Sequence, residues 1–325
     1  MRYMINTGHA ARFDKSNLWI NGESSLHRLV DASLIDFVVG ISSHQGLIDT
    51  ESVEDPEQRH SLEKALALLE EAGALVPLSS AQAIPKIVLN LYNYCEGLRS
   101  HSDIQARLDS ARVHIVYEEE ESLANSLSSA LERQSAGTGL SVTKGRGISD
   151  SEEIDRQAIV LAIAAVDGDR FLDYVNHWAL ENGLRIWLPI VPPVGTSYQV
   201  GPWIYPESSA CYQCYRLRKA SVTMADNSIA PDLGTRATPF SQSLYDDDPL
   251  LTQILVNTIA RSVVMHLGLD GLLGQAPHGY VAHFQNSMEG YSVDNHYVLR
   301  VPRCESCSPT AGTGYPQIWF HGEAE

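Results

Sequence analysis

The stretch Ala158-Ile-Val-Leu-Ala-Ile-Ala-Ala-Val166 decides the fold class of this chain. It is an unbroken apolar run of strand length, which is typical of a β-strand buried on both faces of a parallel sheet. A helical pattern at Asp169–Asn182 follows and ends at Gly183, and Arg185–Val191 is a second apolar strand. Strand, helix and strand in this order predict a βαβ unit whose sheet is covered by helices.

The alternation of strands and helices continues in both directions from this unit. A predicted strand at Arg112–Tyr117 precedes a helix at Glu121–Gln134, whose leucines share one face. Toward the C-terminus, Gly279–Gln285 and Tyr291–Val301 alternate as an antiparallel hairpin. We therefore predict an α/β domain with a doubly wound, mainly parallel sheet and a C-terminal antiparallel part.

The beginning of the chain shows a different order of elements. Asn17–Gly22 and Ser24–Val30 are two predicted strands joined at an Asn-Gly turn, and a helical face begins after Asp31. A second helix is predicted at Pro56–Ala72, and a strand at Ala74–Leu78 returns from it. This order resembles a winged helix-turn-helix.

Length and composition agree with two folded domains, since 325 residues exceed the roughly 100–200 of one domain. We place the winged-helix module in residues 1–80, a partly helical connection in 81–110 and the α/β domain in 111–325. The net charge of −17 disfavours binding to nucleic acid. The longest apolar run is far shorter than the roughly 20 residues that span a bilayer, and no signal peptide is visible, so we expect a cytoplasmic protein without membrane contact.

Two close cysteine pairs give the strongest functional signal, Cys211-Tyr-Gln-Cys214 and Cys304-Glu-Ser-Cys307. In a reducing compartment, such pairs are more often metal ligands than disulfides. Cysteines at this spacing on two tight turns supply the four thiolates of a structural zinc site, so we predict one structural Zn²⁺ per chain. Two local disulfides and a redox dithiol are the alternatives.

The residues around the first cysteine pair resemble the adenylating-enzyme fold of ThiF and MoeB. The resemblance lies in Pro189-Ile-Val-Pro-Pro-Val-Gly195, in Gln199-Val-Gly-Pro-Trp-Ile-Tyr-Pro206 and in Ala210-Cys-Tyr-Gln-Cys-Tyr215. Arg303-Cys-Glu-Ser-Cys307 is similar to the closing zinc turn of that family. The resemblance covers roughly residues 110–310 and implies a ThiF-like domain.

The ATP site of that family has no counterpart in this sequence. The family holds its triphosphate on a glycine-rich loop after the first strand, whereas here Tyr117 is followed by Glu118-Glu-Glu-Glu-Ser122. Asp167 and Asp169 follow the buried strand, where the family keeps an acid for Mg²⁺, and we interpret them as a turn residue and an N-cap. We therefore predict no ATP site and no catalytic residue on this chain.

A winged-helix module before a ThiF-like domain without an ATP site resembles the zinc-bearing partner proteins of azole-forming peptide synthetases: the microcin type, the ocin-ThiF-like proteins and the cyclodehydratase C-proteins. The resemblance implies that the front module is a peptide recognition element for the leader of a ribosomal precursor. It also implies a separate YcaO cyclodehydratase for the ATP-dependent step, admits a flavin-dependent dehydrogenase in the complex, and implies a homodimer.

An extended leader can add to an exposed strand edge by main-chain hydrogen bonds. The candidate edge is Ser24–Val30 and the candidate groove wall is the second helix. The candidate leader-binding residues are Leu26, Arg28, Leu29, Val30, Leu62, Leu66 and Leu69. Ordinary core packing is the alternative for the three helical leucines, because an apolar stripe on a helix is usually core.

Two other functional classes compete with this interpretation. An active ATP-dependent adenylating enzyme would need the phosphate loop that the sequence lacks. A winged-helix regulator with a zinc domain would need a basic recognition helix, yet the helix at Pro56–Ala72 carries more acidic than basic residues and would repel DNA.

Overall fold

The computed structural model describes residues 2–6, 10–14, 17–21, 26–29, 47–71, 73–78, 84–95, 98–148, 154–193, 195–222, 249–270, 278–287, 290–302 and 304–308. The chain divides into two compact units, Met1–Ala106 with Ala136–Thr138 and Arg107–Ser135 with Gly139–Glu325. The boundary between Ala106 and Arg107 lies within residues 81–110, whereas Ala136–Thr138 lies outside them. The architecture is mixed α/β, with one parallel and three antiparallel sheets among the described residues.

Among its described residues, the N-terminal unit contains two three-stranded antiparallel sheets, two complete α-helices and a short 3-10 helix at Thr50–Ser52. Its elements are β1 (Arg2–Ile5), β2 (Ala10–Asp14), β3 (Asn17–Asn21), β4 (Leu26–Leu29), β5 (Leu47–Asp49), α1 (Pro56–Glu71), β6 (Leu75–Leu78) and α2 (Lys86–Tyr94). The sheet orders are β5-β1-β6 and β2-β3-β4. The predicted hairpin is the β3–β4 pair, in which Asn21 lies opposite Leu26. The strands β1 and β2 were not predicted, and the predicted helix after Asp31 lies outside the described residues.

Helix α1 begins and ends at the residues that the sequence indicates. The Asp55 side chain accepts a 2.9 Å hydrogen bond from the Glu57 amide, as an N-cap residue does, and Pro56 is the first helical residue. Gly73, two residues past the helix, has a positive φ of 71°. This left-handed conformation favours glycine and turns the chain into β6.

The C-terminal unit is built on a four-stranded parallel sheet. Helix α3 (His101–Ser110) leads into it, and its elements are β7 (Arg112–Tyr117), α4 (Glu121–Gln134), β8 (Ser141–Arg146), β9 (Ile159–Ile163), α5 (Arg170–Asn182), β10 (Ile186–Ile190), β11 (Ser197–Val200), α6 (Tyr212–Val222), α7 (Pro249–Leu269), β12 (Tyr280–Ser287) and β13 (Gly290–Tyr297). The parallel sheet has the order β10-β9-β7-β8, and β11, β12 and β13 form an antiparallel sheet in that order. The predicted βαβ unit is thus confirmed.

Strand β9 is buried on both faces, as its apolar sequence predicts. Val160 and Ala162 pack in one core cluster with Phe171 of α5, and Leu161, which points to the opposite face, is also fully buried. The Asp169 side chain caps α5 by accepting a 2.9 Å hydrogen bond from the Phe171 amide, which confirms its predicted N-cap role.

Helix α7 is, within the described residues, long and apolar enough to cross a membrane by length and composition alone. Ten of its 21 residues are buried, and it packs against α4 and β11. The core helix of a globular unit meets the same length and composition test, so the helix by itself does not indicate a membrane span.

Candidate metal centre

The two cysteine pairs lie on different kinds of local structure. Cys211 directly precedes α6 and Cys214 lies in the first turn of that helix. Cys304 and Cys307 lie on a turn that follows β13. The sequence predicted tight turns for both pairs, but a helix N-terminus carries the first pair. This difference suits metal binding, because the positive end of a helix dipole stabilises thiolates.

The four sulfur atoms form one cluster. The Sγ–Sγ distances are 3.8 Å for Cys211–Cys214, 3.6 Å for Cys211–Cys304 and 3.5 Å for Cys214–Cys307, and all four sulfurs lie within 4.8 Å of one another. A tetrahedral zinc ion with Zn–S bonds of about 2.3 Å places its sulfurs about 3.8 Å apart. A disulfide needs an S–S distance of about 2.05 Å, and all five cysteines are free thiols. The four sulfur atoms therefore fit the ligand set of a tetrathiolate metal ion better than two local disulfides or an oxidised redox dithiol.

The cluster is shielded from water and polarised by its surroundings. Cys211, Cys214 and Cys304 are fully buried, and Cys307 is partly exposed. Hydrogen bonds from the Cys211 thiol and from the Val301 amide, at 3.3 Å, lower the pKa of Cys214 to about 5. The same contact with Cys214, together with burial, raises the pKa of Cys211. Metal binding requires thiolates, so a bound cation would take the place of the thiol protons.

The segment before Cys211 is held between two sheets. Ile204 and Trp187 of β10 exchange two backbone hydrogen bonds of 2.9 Å, and the Trp203 amide donates to the Tyr280 carbonyl of β12 at 3.1 Å. Gly201 makes this approach possible: it has a φ of 101°, and a Cβ there would lie 2.5 Å from the Tyr280 carbonyl oxygen. This path brings Cys211 to the end of the hairpin that carries the second pair.

Arg300 joins the two cysteine segments. Its Nε donates to the Ser209 carbonyl at 2.6 Å and its Nη2 donates to the Pro206 carbonyl at 3.0 Å. Ser209 lies two residues before Cys211, and Arg300 lies four residues before Cys304. The guanidinium fork therefore fixes the spacing between the two halves of the cluster. The role of Arg300 was not predicted, because a contact with two backbone carbonyls has no sequence signature.

Asp167, which the sequence analysis took for a turn residue, is the centre of a polar network at the carboxyl end of β9. Its carboxylate accepts hydrogen bonds from the Tyr212 hydroxyl at 2.7 Å and the Tyr215 hydroxyl at 3.4 Å, and it pairs with the Lys219 ammonium. All three partners lie on α6, which the sequence analysis did not predict. Asp167 therefore anchors the cysteine-bearing helix α6 to the parallel sheet.

The acidic run lies at the carboxyl end of β7, beside this network. Glu118 and Glu119 are exposed, and α4 begins at Glu121. Acidic side chains near a helix N-terminus are stabilised by the helix dipole, which accounts for their position without a ligand. Residues 118–122 contain no glycine that would let the backbone wrap a phosphate.

The candidate leader-binding residues fall into two groups in the N-terminal unit. Leu26, Arg28 and Leu29 lie on β4, which pairs with β3 on one side and with no other strand of the described residues, whereas Val30 lies outside those residues. The Arg28 guanidinium is exposed and lies 5.2 Å from the centre of the Trp19 ring. Leu62, Leu66 and Leu69 are exposed by 2%, 1% and 5%. The leucines are thus packed in the interior of their unit, whereas Arg28 on β4 is exposed.

Fold and site together define a mixed α/β protein with a parallel four-stranded sheet, an antiparallel sheet and a buried four-cysteine cluster. No protein-family model matches the sequence, and a search of curated proteins finds no match to it.

Solved structures do match the fold. A heterocyclase in complex with substrate and cofactor is 16% identical with a TM-score of 0.55, over 94% of this chain and 39% of that one. The heterocyclase TruD is 17% identical with a TM-score of 0.54, over 94% of this chain and 42% of that one. E. coli MccB with AMPCPP and MccA is 12% identical with a TM-score of 0.50, over 95% of this chain and 100% of that one. This chain thus shares their fold and spans about two fifths of either heterocyclase.

Proposed function

We propose that this chain binds the leader of a ribosomal precursor peptide and presents it to a separate YcaO-type cyclodehydratase, which forms azolines and azoles in the biosynthesis of a bacteriocin-like natural product. One observation carries the proposal: nearly the whole chain shares its fold with two heterocyclases but spans only 39% and 42% of their lengths.

The N-terminal unit is the proposed recognition element, with a winged-helix fold. Strand β4 supports this role because it lies at the edge of its sheet among the described residues. An added peptide strand would take main-chain hydrogen bonds from β4, and exposed side chains such as Arg28 would contribute specificity. Since Leu62, Leu66 and Leu69 are buried, we assign them to the support of this unit and not to direct contact with the leader.

The metal in this proposal is one structural Zn²⁺ per chain, held by Cys211, Cys214, Cys304 and Cys307. Four protein thiolates leave no open coordination position for a substrate or a water molecule, so the ion would supply stability and no chemistry. It would join the start of α6 to the turn after β13.

The proposed chain is not catalytic by itself and binds no ATP. Asp167, at the position where a ThiF-like enzyme would hold Mg²⁺, is paired with Lys219. The acidic residues after β7 would repel a triphosphate at the place where it would have to bind. The chemistry would therefore belong to the YcaO partner, with a flavin-dependent dehydrogenase as a further member of the complex.

An ATP-dependent adenylating enzyme is the second candidate. The observation that favours it is the likeness to E. coli MccB over the full length of that protein, in a structure with AMPCPP, an ATP analogue. The two candidates differ in one measurable property, since an adenylating enzyme exchanges pyrophosphate into ATP without a partner protein.

Reconstitution tests the proposal directly. The zinc-loaded chain, a YcaO protein encoded beside it and the short precursor encoded with them are combined with ATP, and mass spectrometry records the loss of one water per azoline ring. We expect ring formation only when both proteins are present, and a large loss of activity when the leader is removed from the precursor. Equal ring formation without this chain would contradict the proposal, and pyrophosphate exchange by this chain alone would favour the second candidate.

A further inference from the structure

Strand β13 is exposed over its whole length. Each of its eight residues is exposed, and it pairs with β12 on one side and with no other strand of the described residues on the other. A strand edge of this kind is a template for pairing with another chain, and stable proteins normally cover or block it.

The exposed apolar side chains of the C-terminal unit concentrate around this edge. Tyr291, Val293 and Tyr297 of β13 are exposed by 51%, 48% and 53%. They alternate with Ser292, Asp294 and His296, so one face of the strand is apolar and the other is polar. Tyr280 of β12 and Leu299, just after β13, are exposed by 42% and 58% and extend the same patch. Contiguous apolar exposure beside an open edge indicates a protein–protein contact.

The sequence of β13 is complementary to itself. A two-fold axis perpendicular to the sheet pairs the strand antiparallel with its own copy and keeps each side chain on its own face. If the axis passes at Asn295, Asp294 lies opposite His296 of the partner subunit and Val293 lies opposite Tyr297 of the partner subunit, and each pair occurs twice. Opposite charges and aromatic–β-branched pairs are the cross-strand pairs that stabilise a sheet.

The neighbouring registers of the same kind are less favourable. An axis at Asp294 would place two like carboxylates directly opposite each other, which is destabilising. An axis at Val293 would place His296 opposite Gly290 of the partner subunit and would lose both charge pairs. The axis at Asn295 is therefore the register that the strand favours.

We infer that two copies of this chain associate through β13 in this register, so that the two antiparallel sheets become one continuous six-stranded sheet. This inference rests on the homodimer that the family resemblance behind the proposed function implies, and it specifies the interface. Its test measures only association, so a failure here leaves leader binding and reconstitution to be judged separately.

The test is a charge exchange read by light scattering over a concentration series of the zinc-loaded full chain at about pH 6, where histidines carry positive charge. We expect the parent to be a dimer. Asp294→His and His296→Asp each place like charges opposite each other twice, so each should weaken association by about tenfold or more. The double variant restores opposite charges in the same register and should regain the parent's dissociation constant.

An apolar variant and its matched control complete the test. Val293→Lys should give a monomer, whereas Tyr174→Lys, at an exposed aromatic residue of α5, should leave the dimer intact. Circular dichroism and zinc content confirm that every variant is folded. A parent that stays monomeric overturns the inference, as do single variants that associate as tightly as the parent or a double variant that fails to recover.

Discussion

The hydroxyl of Tyr212 joins the cysteine-bearing helix α6 to the end of β9, an inner strand of the parallel sheet. It donates a 2.7 Å hydrogen bond to Asp167 and accepts one of 2.8 Å from the Gly168 amide. Burial and the neighbouring Asp167 carboxylate raise the pKa of Tyr212 well above its ordinary value, so the hydroxyl remains a donor. Tyr212, which lies between Cys211 and Cys214, is therefore also a structural link to β9.

These two hydrogen bonds predict that removing the Tyr212 hydroxyl lowers the free energy of unfolding. Tyr212→Phe keeps the packing of the ring against Trp187 but removes one donor from the partly exposed Asp167 carboxylate and the acceptor of the Gly168 amide. We expect a loss of about 1–3 kcal/mol in the free energy of unfolding, measured by urea denaturation. Tyr174→Phe at an exposed tyrosine is the matched control and should cost almost nothing. Equal stability of the two variants would show that the contacts at Asp167 contribute little.

If the cluster binds zinc, replacing one of its four cysteines should lower the stability of the whole C-terminal unit. Purified protein should contain one zinc ion per chain by elemental analysis. Cys304→Ser should lose it and lower the melting temperature, because the ion joins α6 to the turn after β13. Cys95→Ser is the matched control, since Cys95 is equally buried but lies outside the cluster. Zinc-free parent protein with full stability would rule out the structural metal.

ATP should not bind to this chain alone. Titration calorimetry with MgATP should give no binding heat, because the carboxylate that would hold the metal is paired with Lys219 and the neighbouring loop carries the acidic run that begins at Glu118. The Asp167→Ala variant should behave in the same way. Binding by the parent that Asp167→Ala abolishes would instead show that this carboxylate is a working ligand.

The parallel sheet could be predicted from sequence because its signals are local. The run at Ala158–Val166 and the helix limits at Asp169 and Gly183 each depend on a few neighbouring residues. The run contains strand β9, which is shorter than predicted, and both helix limits agree with the structure. The four cysteines were recognised for the same reason, since each pair has its own short motif. Their meeting in one cluster agrees with the prediction made from that spacing.

Contacts between distant segments explain what sequence reasoning missed. Strand β1 is only four residues long, and its pairing with β5 and β6 depends on residues more than forty positions away. Arg300 and Asp167 have their roles because remote carbonyls and hydroxyls lie beside them in the fold. The three leucines of α1 show the converse limit: an apolar stripe has the same sequence whether it lines a groove or packs in a core, and only the fold shows that it is buried.

His266 predicts a pH dependence of stability. It lines a cavity of about 190 Å³ together with Arg185 and Asp270, and its ring contacts the Tyr205 hydroxyl. Burial lowers the pKa of His266 to about 4 in the folded chain; by smaller amounts, Asp270 raises this pKa, and Arg185 and His278 lower it. The ordinary value is about 6.5, so between these two pH values the unfolded chain binds the extra proton and the folded chain does not.

The contribution of His266 is therefore complete above about pH 6.5 and is lost as the pH falls toward 4, to a total of at most about 3 kcal/mol. His266→Gln, which still offers the Tyr205 hydroxyl a partner, should flatten the fall in unfolding free energy over this range. His60→Gln, at an exposed histidine of α1, is the control and should keep the parent's profile. Acid would also release a bound metal from both variants. The informative quantity is therefore the difference between their profiles of unfolding free energy against pH. Parallel profiles would contradict the assignment.

Leader binding by strand addition is the prediction that tests the proposed role of the N-terminal unit. A modifying complex that acts at several positions gains from holding the leader while the rest of the precursor moves through a distant active site, because the tether raises the local concentration of substrate. A synthetic leader of the neighbouring precursor should bind the full chain at micromolar to nanomolar affinity, about 8–12 kcal/mol. Isothermal titration calorimetry gives this value directly.

The backbone of β4 decides whether the leader binds as a strand. Leu29→Pro fixes φ and removes a backbone donor at the end of that strand, so it should weaken leader binding strongly. Leu29→Ala removes the same side chain but keeps the backbone donor, so it separates loss of the side chain from loss of main-chain pairing. Arg28→Ala, at an exposed side chain, should have an intermediate effect if the residue contributes specificity. An acidic residue at Leu66 would be uninformative, because a charge at that buried position should unfold the unit.

Circular dichroism must show that the Leu29→Pro variant is folded. If this folded variant binds the leader as tightly as Leu29→Ala does, the leader does not pair with β4, and the N-terminal unit recognises its partner through another surface.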